Sequence, residues 1–355
     1  MRLEEFDYDL PERLIAQVPL DVRDQSRLLV VDPVEQSLHH RVFADIVDYL
    51  EPQDVLVLND SRVLPARLFA TKVDTGARAE ILLLRPSGDD PQVWQALTRP
   101  AKRLRRGTRL RIGEERDGVE IEIVDTHEEG VRSVRFLTEE PVEQVADRLG
   151  QMPLPPYIHE DLQEKERYQT VYAKTTGSVA APTAGLHFTT ALLDRIRDKG
   201  VQICHVTLHV GLGTFRTVQV EHVESHRMHS EWYEVDERTA EIVNEARERG
   251  SRVVAVGTTA LRTLESAGAS GRLLAQRGET DIFIYPGYQF RIADALITNF
   301  HLPKSTLFML VCAWLGTDFA KEVYRQAVEA EYRFFSFGDA MFIARRAHLD
   351  APGDV

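Results

Sequence analysis

Between Val63 and about Leu137 the sequence stops alternating helix with strand and reads as strands alone. Ala79–Leu84, Val93–Leu97, Thr108–Ile112, Val119–Val124 and Val131–Phe136 are short runs of alternating polarity with glycine-bearing breaks between them, the pattern of a small antiparallel barrel. Before residue 60 the order is a short helix after Asp9 and Pro11, a strand Leu28–Val31, an amphipathic stretch Phe43–Leu50 and a strand Val55–Leu58 that ends in the turn-prone Asn59-Asp60-Ser61-Arg62. Past Gly150 comes an extended Pro-rich connector, Met152–Ile158, and then α/β alternation again. Helix Thr190–Lys199 stops at Gly200, strand Val201–Val210 follows, helix Glu237–Arg249 lies between an Asp236 cap and Gly250, and strand Arg252–Val256 runs into helix Thr259–Ser266. This order predicts an α/β domain made of residues 1–60 and 150–355, interrupted at 61–149 by an inserted all-β barrel. With 355 residues, 43% of them apolar, the chain can fill two cores.

Charge and cysteine content narrow the function. A formal charge of −13 excludes a general nucleic-acid coat, because non-specific phosphate binding rests on clustered cations. Any nucleic-acid site must be local, and one run suits it: Arg99–Arg111 holds seven basic residues and no acid, among them Arg99, Lys102, Arg103, Arg105 and Arg106. A solvated basic hairpin is the plain alternative. Cys204 and Cys312, flanked by apolar residues, read as buried thiols in a reducing compartment, too few for a thiolate zinc or cubane cluster, and no metal is expected. The first residues carry acidic pairs instead of a signal-like apolar stretch, and no eighteen apolar residues run together, so a cytoplasmic chain without membrane contact is expected.

Five runs carry candidate chemistry. Gly177-Ser-Val-Ala-Ala-Pro-Thr-Ala-Gly-Leu-His-Phe188 lets backbone approach a ligand closely at Gly185 and places His187 and Phe188 beside it, or else is a tight turn around a packed histidine. His209-Val-Gly-Leu-Gly-Thr-Phe215 lies at the carboxyl end of a strand, where open α/β sheets bind ligands, with Gly211 and Gly213 but no third glycine of a dinucleotide fingerprint. Gly257-Thr258-Thr259 opening a helix is an anion cradle to which Arg262 adds a charge, unless Arg262 pairs with Glu265 one turn on. Met228–Glu234 offers Glu231 for proton transfer and Trp232 or Tyr233 for stacking. Ile297–Thr306 reads as a lid or wall, with Asn299, His301 and Lys304 as its functional residues.

Together with Leu58–Val63, Met152–Tyr157, Glu166–Tyr172, Tyr285–Tyr288 and Asn299–Thr306, these runs resemble the S-adenosylmethionine:tRNA ribosyltransferase-isomerase family of queuosine biosynthesis over nearly the whole chain. The resemblance implies an α/β domain with an inserted six-stranded β-barrel. It also implies transfer of the ribosyl part of S-adenosylmethionine to the 7-aminomethyl-7-deazaguanine at the wobble position of a tRNA with a GUN anticodon, where it becomes an epoxycyclopentanediol while adenine and methionine leave. No cofactor is then permanently bound, S-adenosylmethionine is a co-substrate, and a monomer is expected. One departure stands out: Val179-Ala-Ala-Pro182 keeps the proline of the family's run but has no hydroxyl at position 181.

That reaction needs a base for the C5′ proton beside the sulfonium, for which His187, His209 and Glu231 are the candidates. It needs an anion cradle for the methionine carboxylate, suited to Gly257–Thr259 with Arg262, and a slot for adenine walled by glycines with Phe188 or Phe215. A methyltransferase would instead carry a glycine-rich first strand turn, which is missing. A non-catalytic RNA binder would not need three glycine-bearing loops at strand ends.

Overall fold

A computed structural model describes residues 1–344 apart from 115, 161, 163, 212–217, 219 and the side chain of 129. The chain forms two compact units, one of Met1–Ser61, Pro156–Thr175 and the chain from Pro182 on, the other of Arg62–Pro155 and Thr176–Ala181.

The first unit is built on a nine-stranded mixed sheet. Its order is β15 (Gln276–Thr280), β13 (Glu231–Val235), β12 (Gln202–Leu208), β3 (Val55–Asn59), β14 (Val253–Val256), β16 (Ala295–Asn299), β17 (Ala340–Ile343), β1 (Arg27–Asp32) and β2 (Ser37–Val42). The four central strands β12, β3, β14 and β16 are mutually parallel. Three of them, Val-Leu-Val-Leu-Asn, Val-Val-Ala-Val and Ala-Leu-Ile-Thr-Asn, are buried at every position, as strands covered on both faces must be. Their carboxyl ends therefore share one edge of the sheet, where chain leaves β3 at Asn59 and β14 at Val256.

Helices α1 (Ile46–Tyr49), α3 (Thr190–Asp198), α4 (Glu237–Glu248), α5 (Gly257–Ala267), α6 (Thr306–Leu315) and α7 (Thr317–Glu329) complete this unit. Thr189, Asp236 and Ser305 cap α3, α4 and α6 by accepting from backbone N–H groups of the first turn. The helix expected after Pro11 is only a three-residue 3₁₀ turn, Glu12–Leu14. There the backbone is drawn into a β-bridge, Ile15 with Phe334, and the Ala16 N–H donates to the Phe334 carbonyl at 3.1 Å, so a longer helix would forfeit that pairing.

The second unit holds a closed barrel of β5 (Arg67–Lys72), β6 (Arg78–Pro86), β7 (Val93–Arg99), β8 (Arg109–Ile112), β9 (Val119–Thr126) and β10 (Val131–Phe136), in the order β10-β7-β6-β5-β8-β9. Inward residues such as Ala79, Ile81 and Leu83 of β6 and Val119, Ile121 and Ile123 of β9 fill it, alternating with less buried positions that are polar at Arg78, Glu80, Glu120 and Glu122. Strand β5 escapes the sequence reading because its outward position Phe69 is apolar yet 52% exposed, which blurs the alternation. Helix α2 (Val142–Leu149) packs Val142, Val145 and Ala146 into the same core. Short strands β4 (Ser61–Val63) and β11 (Thr175–Ser178) pair as a ribbon.

Candidate active site

The carboxyl edge of the central strands gathers polar groups from β12, β13 and α5. Asn59, at the end of β3, ties this edge together: its Nδ2 donates to the Leu208 carbonyl at 3.1 Å and its Oδ1 accepts the Leu208 N–H at 3.1 Å. Directly after β12, the His209 N–H donates to the Trp232 carbonyl of β13 at 2.9 Å, and its ring stacks on Trp232 at 5.0 Å. Glu231 opens β13, 4% exposed, and accepts the Gly211 N–H at 2.9 Å on one oxygen and Arg262 Nη1 on the other. Arg262 arrives from the second turn of α5, which begins at Gly257 with φ +83, a left-handed conformation that suits glycine.

Three polar atoms here are buried without a hydrogen-bond partner among the described residues: His209 Nδ1, Arg262 Nη2 and Thr259 Oγ1. An unmade buried hydrogen bond costs about 1–3 kcal/mol, so these three atoms make this strand edge the candidate ligand site. Burial holds the His209 imidazole below its ordinary pKa against the opposing charges of Asp60 and Glu234. The ring is thus neutral at pH 7, with a nitrogen unspoken for.

His187 is placed differently. Its Nδ1 meets Ser26 Oγ at 2.7 Å, its Nε2 faces Asn299 Nδ2 at 3.4 Å and its ring stacks on Phe43 at 4.8 Å. Burial, with Arg333 and Arg23 nearby, lowers its pKa to about 3, so the imidazolium that a general base must become is strongly disfavoured. The neighbouring Gly185 serves packing, since a Cβ there would sit 2.1 Å from the Tyr172 hydroxyl. Phe188 is fully buried, edge-on to Phe43 at 5.0 Å. This run brings core to the sheet, whereas a Cβ on Gly211 would meet nothing within 4 Å among the described residues.

Glu265 does not pair with Arg262; it accepts the N–H groups of Arg291, Ile292 and Ala293 at 2.7, 3.0 and 3.1 Å and the Tyr288 hydroxyl at 3.2 Å. Arg262 turns to Glu231 instead. Thr258 is buried beside Gly257 and Thr259 at the start of α5. Asn299 donates to the Phe335 carbonyl at 2.9 Å, His301 holds Thr298 Oγ1 at 2.9 Å, and Lys304 bridges Glu4 and Asp7 at 3.0 and 2.9 Å. All three are tied into the fold by these bonds. Gly213 and Phe215 lie outside the described residues. Asp60 and Tyr172, which residue type alone does not single out, line a cleft beside β12; the sequence signal for Asp60 is the polar cluster at the end of β3.

His301, like His187, is held at about pH 3 by burial. Unfolding returns both rings to their ordinary value of 6.5, so below pH 6.5 the unfolded chain binds more protons than the fold. Their contribution is whole above pH 6.5 and is lost as pH falls toward 3, at up to about 1.4 kcal/mol per pH unit for each ring. Urea midpoints measured from pH 7 to 4.5 should fall accordingly, and less steeply for His301→Gln; an equal slope in that variant contradicts the assignment.

In the barrel, Arg109 and Arg111 face Glu122 and Glu120 at 3.9 and 2.6 Å. Arg99, Lys102, Arg103, Arg105 and Arg106 are exposed and make no ion pair among the described residues. Cys204 and Cys312 are buried thiols whose pKa burial pushes up to about 12. Among the described residues no group of three His, Cys, Asp or Glu is placed to hold a metal ion, and no helix is long and apolar enough to cross a membrane.

A family described as queuosine biosynthesis protein matches residues 3–343. An S-adenosylmethionine:tRNA ribosyltransferase-isomerase of Natranaerobius thermophilus is 52% identical over 345 residues, 97% of this chain and 99% of its own. The crystal structure of an S-adenosylmethionine tRNA ribosyltransferase from Thermotoga maritima is 41% identical and matches with a TM-score of 0.55, covering 96% of this chain and 99% of that one.

Proposed function

The chain belongs to the queuosine biosynthesis protein family, and we propose that it moves the ribosyl part of S-adenosylmethionine onto 7-aminomethyl-7-deazaguanine at the wobble position of GUN-anticodon tRNA, forming epoxyqueuosine and releasing adenine and methionine. The observation that carries this reading is His209, a neutral imidazole at the carboxyl edge of the sheet with a buried nitrogen that nothing in the described chain engages.

The sulfonium of the donor acidifies the adjacent C5′ hydrogens, and His209 Nδ1 takes one of them; the imidazolium so formed has the Asp60 and Glu234 charges to stabilise it. Arg262 Nη2 and the Thr259 hydroxyl, at the amino end of α5, bind the methionine carboxylate, where the helix dipole adds to the attraction. Glu231 is better suited to positioning than to proton transfer, because its carboxylate is already engaged by Arg262 and by the Gly211 N–H. His187, bonded on both nitrogens and unable to charge, orients the loop. The enzyme acts as a cytoplasmic monomer with no resident cofactor, and the barrel insertion at 61–149 carries the tRNA.

Arg99, Lys102, Arg103, Arg105 and Arg106 supply cations to the phosphates. Replacing Arg103, Arg105 and Arg106 together by Ala should weaken anticodon stem-loop binding and reduce the slope of log K against log salt by about 2, given roughly 0.7–0.9 for each phosphate no longer neutralised. Binding and slope equal to the parent's would remove the barrel patch from the interface. The reaction itself is tested by product analysis with modified stem-loop: adenine and methionine in equal amounts are expected, whereas S-adenosylhomocysteine would indicate methyl transfer.

A further inference from the structure

Asn59-Asp60-Ser61-Arg62, singled out in the sequence as a polar turn, meets a second feature of the first unit. A cleft of about 520 Å³, within the range of small-ligand sites, opens beside β12 and α4 and is lined by Asp60, Tyr172, Lys174, His205 and Thr207. The backbone of Asp60 is fixed on three sides: its N–H donates to Val206 O at 3.0 Å, and its carbonyl accepts Lys174 N at 2.8 Å and Thr175 N at 3.2 Å. Asp60 is 9% exposed, and its carboxylate accepts the Thr207 hydroxyl at 2.7 Å on Oδ1. The other carboxylates of the cleft are employed, Glu234 with Arg277 at 2.7 Å and Asp236 as the cap of α4. Asp60 has no cationic partner among the described residues. Tyr172 also lines the cleft, its ring 5.7 Å from that of His205 and its hydroxyl buried without a partner among the described residues.

A rigidly held carboxylate that is nearly buried, offers only acceptors and lacks a cation is matched by a ligand edge that offers adjacent donors. Guanine and its 7-deaza analogue present such an edge in N1–H and the 2-amino group, whereas adenine places a lone pair where the first donor is needed. We propose that this cleft holds the acceptor nucleobase and that Asp60 is its specificity-determining residue, reading the N1–H and 2-amino donors of 7-deazaguanine. The aminomethyl arm, on the opposite edge of the base, is left free for the donor. Asp60 and the base at His209 belong to one neighbourhood: Thr207, which aims the carboxylate, lies two residues before His209, about 6.6 Å along the strand. This inference rests on the reaction proposed above.

The test is equilibrium binding of two anticodon stem-loops without S-adenosylmethionine, one with 7-aminomethyl-7-deazaguanine at the wobble position and one with the same base lacking its 2-amino group. The wild-type protein should bind the second about 10-fold or more weakly, as expected for one lost base-edge pairing. Asp60→Asn should bind both within about twofold of each other. An Asp60→Asn protein that discriminates like the wild type overturns the proposal, as does a wild type that does not discriminate. Should that variant fail to fold, Thr207→Val replaces it, removing the hydroxyl that aims the carboxylate; undiminished discrimination there also overturns the proposal. Failure of the reaction reading would show separately, as absence of adenine release by the wild type.

Discussion

With His209 replaced by Ala, adenine release from S-adenosylmethionine in a single turnover with modified stem-loop should slow by about 10²–10⁴-fold, the usual cost of losing a positioned acid–base group. The ring is half-buried and stacked on Trp232, and its Nδ1 makes no hydrogen bond among the described residues. The variant should therefore remain folded and bind stem-loop normally. Only neutral imidazole accepts the proton, and burial holds its pKa below 6.5. The wild-type single-turnover rate should thus be flat at neutral pH and fall tenfold per unit only below the ordinary imidazole range. In His209→Ala that acid limb should disappear. A variant within about tenfold of the parent, or one that keeps the limb, would take the proton transfer away from His209.

The second large effect concerns Arg262 and Glu231, both about 4% exposed and joined to each other. Arg262→Ala leaves a carboxylate buried without its cation, which costs about 3–5 kcal/mol in comparable pairs. The unfolding midpoint of the first unit should drop sharply. Replacing both partners, Arg262→Met with Glu231→Leu, removes the uncompensated charge and should recover most of that loss. Activity should not recover, because Nη2 of Arg262 is the proposed carboxylate ligand. A stable double variant with parental affinity for S-adenosylmethionine would show that the pair is only structural.

The parts of the fold that were legible are those whose burial is written into composition. Val55–Leu58 and Val253–Val256 are apolar throughout because both faces are covered, and the barrel strands alternate because one face is. The edge strands were not legible: Ser37–Val42 and Gln276–Thr280 are mostly polar, and only backbone pairing with Arg27–Asp32 and Glu231–Val235 makes them strands. In the site, residue types and strand-end positions singled out His209, Glu231 and Arg262, but not their division of labour. That Glu231 reaches Arg262, 31 residues away, while Glu265 turns to the backbone at 291–293, is decided by how α5 packs on β13. His187 looked like His209 in sequence; what separates them is the bonding to Ser26 and Asn299 and the extent of burial. Asp60 carried no catalytic signature, and its interest comes from the cleft it faces.

The claim that the reaction begins with loss of a C5′ proton is tested most directly by supplying S-adenosylmethionine carrying two deuterium atoms at C5′ and weighing the nucleoside formed in the stem-loop. The account predicts a product that keeps one deuterium, made by the wild type and barely formed by His209→Ala. A transferred ring that retains both would contradict it.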